Sequence, residues 1–202
     1  KNFFAPARII VGAQTPAVHR KIESVFAGIK TEFLKMDIVS AEMSKHALNA
    51  FLATSISFAN DIADISEAVG ADIVEVVKAL KSDPRGGPRA YLNAGIGFSG
   101  GTLARELKTL LARGNETHVS LPVIQAAYEK NAGRKLVVAQ KLKPLLGDLR
   151  NKTIGVFGLT YKPGTPTLRR SLALEIIKNL REEGATVRAH DPMADPEEVR
   201  RA

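Results

Sequence analysis

The sequence predicts an α/β chain with an all-α middle and a parallel α/β end. Three observations predict it. A short β-branched run closes on a glycine near the start. A stretch of some thirty residues from Ser40 to Val69 contains neither glycine nor proline. A strand, helix and strand follow one another from Thr153 to His190. The composition is that of a folded chain: 202 residues, 45% hydrophobic and 25% charged. Aromatics make up only 5% and tryptophan is absent, so the core is aliphatic. The chain has no cysteine. That excludes disulfides, thiolate metal sites and a cysteine nucleophile together.

The first segment reads strand, turn, helix. Arg8-Ile9-Ile10-Val11-Gly12 is the strand, and Thr15-Pro16 sets an N-cap before a proline at the first helical position. Val18, Ile22, Val25 and Phe26 then recur at helical spacing. A lone strand and helix bury no sheet, so the chain is expected to begin partway through a domain.

From Ser40 the apolar positions Met43, Ala47, Ala50, Phe51, Ile56, Phe58, Ile62, Ile65 and Val69 form one long helix. Ser40 is expected to cap its start and Gly70 to end it in the left-handed conformation. Such a helix needs apolar partners on several faces, from this chain or from a second subunit. Asp72 and Glu75 resemble a capping box for a helix through Leu80.

Residues 82–101 hold six glycines and two prolines, with Tyr91, Leu92, Ile96 and Phe98 among them. A loop of that length inside a compact chain is usually functional, and its aromatic and aliphatic residues argue for order. Thr102 is expected to cap a helix through Arg113 ended by Gly114, and Leu121-Pro122 opens another to Leu146. Thr153–Leu159 reads as a buried strand. A loop leads to a helix capped by Ser171 and running to Glu183, with Leu174, Ile177 and Leu180 inward. Ala185–His190 is the second strand, stopped at Asp191-Pro192.

Charge separates the function classes. With 29 Lys+Arg against 21 Asp+Glu the formal net charge is +8, which favours anionic partners. No basic run, interleaved aromatics or motif points to nucleic acid. No apolar run reaches spanning length and the start has no signal-peptide layout, so a cytoplasmic protein without membrane contact is expected. The histidines His19, His46, His118 and His190 have no metal-ligand spacing, and no metal site is expected.

Three constellations carry chemistry. Glu42, Lys45 and Asn49 share one helix face, where an ammonium and an amide can hold a developing oxyanion or stand as a solvated stripe. The glycine-rich loop ending at Thr102 lets backbone approach a ligand, and the next helix begins with Arg105, Glu106 and Lys108. Gly158 to Arg170 carries Lys162, Arg169 and Arg170 at a strand's carboxyl end, without the spacing of a P-loop or of GxGxxG.

In order and spacing these stretches resemble the nucleotide-sugar (UDP-glucose/GDP-mannose) dehydrogenase family. The segments that carry the likeness are Pro6–Gly12, Ser40–Phe51 with its ExxKxxxNxF pattern, Tyr91–Phe98, and Gly158–Thr165 continuing to Arg169 and Ser171. The resemblance implies three parts. They are the tail of an N-terminal NAD-binding Rossmann domain (1–37), a central helical dimerisation domain (38–148), and a partial, Rossmann-like nucleotide-sugar-binding domain (149–202). It implies a homodimer through the helix near residues 40–70, a nucleotide-sugar substrate, and NAD held mostly by residues outside this chain. The chain alone is therefore expected to be inactive. Residue by residue, Lys45 and Asn49 match oxyanion-stabilising and water-positioning groups. Tyr91, Asn93, Gly95, Gly97, Phe98 and Lys162 match the substrate cradle, and Arg169 an arginine that reaches the NAD diphosphate.

One segment departs from the family's GGSCFPKD. Here it reads Ser99-Gly100-Gly101-Thr102-Leu103-Ala104-Arg105-Glu106. Thr102 stands at the catalytic cysteine and Glu106 at the aspartate that helps activate water. Pro166-Thr167 replaces an acidic pair. The implied function is NAD-dependent oxidation of a sugar C6 alcohol for polysaccharide synthesis. The alternative is a dimeric nucleotide-sugar-binding relative without full oxidase chemistry.

Overall fold

The computed structural model describes residues 3–99 and 101–201. Gly100 of the predicted loop and the Lys1-Asn2 start lie outside the described residues. The chain divides into two compact units, Lys1–Asn49 and Ala50–Ala202, with the division inside the long helix.

In the first unit, β1 (Arg8–Gly12) is followed by α1 (Pro16–Val25), and β2 (Glu32–Met36) returns to pair with β1 in parallel. The second strand is the correction to the sequence reading. Glu32-Phe33-Leu34-Lys35-Met36 alternates too weakly to stand out, yet only this pairing satisfies the edge of β1. Thr15 caps α1 as expected, accepting from Val18 N–H at 3.4 Å. His19 ties the two strand ends, its Nε2 lying 3.2 Å from the Val11 carbonyl and 3.0 Å from that of Met36. A Cβ at Gly12 would meet Ala41 Cβ at 2.7 Å, so only glycine lets the long helix pass this close.

That helix, α2, runs Ile38–Val69. It starts two residues before the predicted cap. Asp37 takes that role, its carboxylate accepting from Ser40 N–H at 2.9 Å and from the Ser40 hydroxyl at 2.7 Å. A carboxylate at a helix N-terminus also meets the positive end of the helix dipole. Gly70 ends the helix at φ +77°.

In the second unit, α3 (Ile73–Ser82) is capped by Asp72, which accepts from Val74 N–H at 2.8 Å. Glu75 faces Lys78 rather than closing a capping box. After the long loop come α4 (Leu103–Glu116) and α5 (Pro122–Gly133). A 3₁₀ turn follows (Arg134–Leu136), then α6 (Val137–Leu146). Two expectations change here. Gly114 does not end α4; it is buried within the helix, where a Cβ would strike the Val119 carbonyl at 2.7 Å. The single helix predicted over 122–146 breaks after Gly133, where Arg134 is buried and turns its guanidinium to Asp64 and the Gly95 carbonyl. The first core packs Ala50, Ala53, Phe98, Leu107 and Ala127.

The chain then forms β3 (Thr153–Phe157), α7 (Leu172–Glu182) and β4 (Thr186–His190), with β3 and β4 parallel in the register Thr153 to Thr186. This is the expected βαβ unit, closed by a short α8 (Pro196–Arg201). Ser171 caps α7, accepting from Ala173 N–H at 3.2 Å. Ile176 and Leu180 are the buried side chains of α7, so Ile176 replaces Leu174 and Ile177 as the inward residue. They join Ala139, Leu149 and Ala185 in the second core. No helix among the described residues is long and apolar enough to cross a membrane.

Candidate functional site

Lys45 and Asn49 lie one turn apart on α2, Lys45 exposed and Asn49 half-buried. Lys45 and Ser44 face a cavity of about 540 Å³ that Arg8 and Ile10 of β1 complete. An ammonium and a guanidinium on one opening suit an anionic or oxyanionic group.

In the second unit the loop before α4 is held by side chains the sequence reading did not single out. Asn60 Oδ1 accepts from Gly95 N–H at 2.9 Å, and Arg134 donates to the Gly95 carbonyl at 2.5 Å. Asn131 grips Phe98 from both sides, accepting from its N–H at 2.8 Å and donating to its carbonyl at 3.1 Å. Asn60 is 1% exposed on a face it shares with Ser57 and Asp64, and those polar residues at helical spacing are the sequence signal that could have found it. Gly97 sits at φ +99°, and a Cβ there would meet Asn131 Oδ1 at 2.6 Å. Glycine is therefore obligatory at 97. Gly95 contributes differently, because its N–H and its carbonyl are both engaged by the scaffold.

The other predicted cradle residues divide. Phe98 is buried in the first core. Tyr91 is 59% exposed. The side-chain Oδ1 of Asn93 accepts from Lys81 Nζ at 2.7 Å, which ties the loop to α3. Lys162 is exposed, its ammonium 5.2 Å from the ring centre of Tyr161.

Thr102, Arg105, Tyr161, Thr167, Arg169 and Arg170 converge on one cleft of about 380 Å³, floored by Gly101. Thr102 precedes α4 in a helical conformation (φ −95°, ψ −67°) and makes no side-chain cap bond. The predicted cap is thus not formed, because a helical residue cannot turn its hydroxyl back to the N–H groups ahead of it. The hydroxyl is exposed at the cleft instead. Arg170 reaches in from a left-handed backbone (φ 59°) and donates to the Gly101 carbonyl at 3.3 Å. Glu106 is 3% exposed, with Arg105 Nη2 at 3.3 Å. Three guanidiniums with hydroxyls between them form a donor set suited to a diphosphate.

The loop from Leu159 to Thr167 that carries Tyr161 and Lys162 is pinned by Asp191. One carboxylate oxygen accepts from Leu159 N–H at 2.7 Å and Thr160 N–H at 3.0 Å, and the other from Met193 N–H at 2.8 Å. These bonds, that from Leu159 foremost, hold the Asp191 carboxyl far below the usual carboxylate range. Among the described residues no group of three acidic or histidine side chains could hold a metal.

Comparison with known proteins bears directly on this arrangement. Residues 39–133 match the model of the UDP-glucose/GDP-mannose dehydrogenase family, central domain, and residues 155–202 that of its UDP binding domain. The chain belongs to the UDP-glucose/GDP-mannose dehydrogenase family. It is 39% identical over 190 residues to a UDP-glucose 6-dehydrogenase of Bacillus subtilis, covering 94% of this chain and 41% of that protein. It is 38% identical over 197 residues to one of Rickettsia bellii, covering 96% and 45%. The fold matches a UDP-glucose dehydrogenase of Pyrobaculum islandicum with a TM-score of 0.94 at 33% identity, over 100% of this chain and 46% of that one. The chain thus spans less than half the length of the relatives it matches. The Thr102 cleft lies in a chain that has no cysteine.

Proposed function

We propose that the whole protein is an NAD-dependent nucleotide-sugar 6-dehydrogenase. It oxidises the C6 alcohol of a nucleotide sugar for polysaccharide synthesis, in the cytoplasm and without nucleic-acid or membrane partners. The observation that carries this is the unbroken order of Lys45 and Asn49, the Tyr91–Phe98 loop and Arg169 along a chain alignable with UDP-glucose 6-dehydrogenases over 94% of its length. The proposed division is 1–37 with the NAD domain, 38–148 as the central domain and 149–202 as the nucleotide-sugar domain.

Lys45 and Asn49 stabilise the alkoxide that develops as the C6 hydroxyl loses its proton. Tyr91, Asn93, Phe98, Lys162 and the turn shaped by Gly95 and Gly97 seat the sugar nucleotide. Glu106 orients water. Arg169, with Arg105 and Arg170 beside it, fits a dinucleotide diphosphate, so these residues would hold that part of NAD. When bound, NAD supplies the two-electron acceptor.

Thr102 limits the chemistry. Its hydroxyl is a weak nucleophile at neutral pH, and the cleft's described lining holds neither a histidine nor a carboxylate to take its proton. The reaction accordingly stops after one oxidation. Taking the alcohol to the aldehyde removes two electrons and two hydrogens, one of them as a proton, and NAD, held by Arg169 with Arg105 and Arg170, would supply the acceptor for the hydride. A second reading follows from the same residue: a dimeric nucleotide-sugar-binding relative that turns nothing over. Incubating the whole protein with NAD and a panel of nucleotide sugars separates the two. NADH formation supports the dehydrogenase; saturable sugar-nucleotide binding without NADH supports the binding protein.

The homodimer is proposed to form through α2. Phe51, Phe58 and Ile65 recur every seventh residue and are 64%, 46% and 56% exposed, which places three large apolar side chains along one helix face. Phe58→Lys is expected to give a monomer by light scattering where the unmodified chain gives a dimer.

A further inference from the structure

Thr15, Asp72 and Ser171 cap their helices from extended backbones, with ψ of 150°, 110° and 131°, and each accepts from an N–H of the first turn. Thr102 is the same kind of residue at the same kind of place. Yet its ψ is −67° and its side chain caps nothing. A local preference overridden in this way needs a force from outside the segment, and such conflicts gather at functional sites.

Two long-range bonds provide that force. The Ser99 hydroxyl donates to the Tyr161 carbonyl at 3.0 Å, sixty-two residues away. Arg170 donates to the Gly101 carbonyl at 3.3 Å. A Cβ at Gly101 would meet Arg170 Nη1 at 2.5 Å, so the guanidinium lies against bare backbone. Arg170 does this from a left-handed conformation (φ 59°) that a residue with a Cβ adopts rarely. Both sides of this clasp are themselves held. Asn131 bonds the N–H and the carbonyl of Phe98, next to Ser99. Tyr161 N–H donates to the Thr167 carbonyl at 3.1 Å, and Asp191 fixes Leu159 and Thr160 just before it. Ser99 lies in the stretch matched to the central domain, and Tyr161 and Arg170 in that matched to the UDP binding domain, so the clasp joins the two.

We infer that Ser99 and Arg170 are positioning residues for Thr102: their two bonds hold the chain entering α4 so that the Thr102 side chain faces the cleft instead of capping the helix. Without them Thr102 takes the extended conformation, and its hydroxyl turns to accept from the N–H of Ala104 or Arg105. The bearing on catalysis rests on the dehydrogenase reading above, in which this side chain decides how far oxidation goes; the placement of Thr102 does not.

The test is NMR spectroscopy of the isotopically labelled full chain, unmodified, as Ser99→Ala/Arg170→Gln and as Ser99→Thr. Carbon-13 shifts of Thr102 report its backbone conformation, and amide exchange reports whether the cap bond forms. The unmodified chain is expected to show helical shifts at Thr102. In the double variant they move to the extended side, and exchange of the Ala104 or Arg105 N–H slows about fivefold, the size of one cap bond. Ser99→Thr keeps the hydroxyl and is expected to leave both readouts as in the unmodified chain. Loss of two tertiary bonds with no change at Thr102 would speed exchange, so a merely structural role gives the opposite sign. Helical shifts that persist in the double variant overturn the inference. So do extended shifts in the unmodified chain, or a Ser99→Thr chain that behaves like the double variant. None of these readouts needs turnover, so failure of the dehydrogenase reading is seen separately, in NADH formation.

Discussion

The turn around Arg134 bears cations of two kinds. On one side Lys130 and Arg134 converge on Asp64, with ammonium–carboxylate and guanidinium–carboxylate distances of 2.7 and 2.8 Å, and Arg134 is 5% exposed. On the other, Lys135 is exposed and, among the described residues, makes no ion pair. The difference teaches how to read the charge of this chain. A cation buried in the fold, like Arg134, is neutralised within it, and an exposed one, like Lys135, is left to solvent.

The largest expected effect comes from breaking the matched side. Asp64→Ala leaves the Arg134 guanidinium buried without its carboxylate, and removal of one partner of such a pair costs about 3 kcal/mol. Chemical denaturation should show that loss. Because Arg134 also holds the Gly95 carbonyl, hydrogen exchange should speed up through residues 93–98 in this variant.

Acid is a milder way to the same end. Burial pushes the Asp64 carboxyl up, but the bonds and charges of Lys130 and Arg134 outweigh it, and the net shift is downward. A carboxyl lowered in the folded state contributes stability above its unfolded value, near pH 4, and loses it as pH falls toward the folded value. Asp191, lowered by its backbone donors, acts in the same direction. Stability should therefore be flat from neutral to about pH 5 and decline below it. Asp64→Asn/Asp191→Asn should flatten that decline.

The smallest effect belongs to the unmatched side. Lys108→Gln/Lys135→Gln removes no ion pair and one exposed cation–π contact, so stability should change by no more than about 0.5 kcal/mol. A loss of several kcal/mol, measured by the same denaturation, would mean that these lysines build the fold.

The legibility of the site follows the same division. Lys45, Asn49 and Arg169 could be picked out because each belongs to a local pattern: helix spacing for the first two, a strand-end loop for the third. The capped starts at Thr15, Asp72 and Ser171 and the βαβ order were legible for that reason too. What was not legible is long-range. Asn60 and Gly95 are thirty-five residues apart, and Asp64 and Arg134 seventy. No local pattern names such partners; only polar residues at helical spacing in a mostly apolar helix, here Ser57, Asn60 and Asp64, hint that they exist. Strand β2 was missed because its pairing with β1, not its own alternation, makes it a strand. Thr102 shows the opposite error. Its sequence position fits a helix cap, but its backbone is already helical and frees the hydroxyl for the cleft.

That freed hydroxyl, in a family member without cysteine, is the central claim, and it has a direct measurement. The whole protein is supplied with a nucleotide sugar and excess NAD, and NADH formed is counted against sugar consumed. One NADH per sugar with a 6-aldehyde product is predicted, rising to two with a uronic acid product in Thr102→Cys. Two per sugar in the unmodified protein, or none with any nucleotide sugar in either protein, would contradict the account.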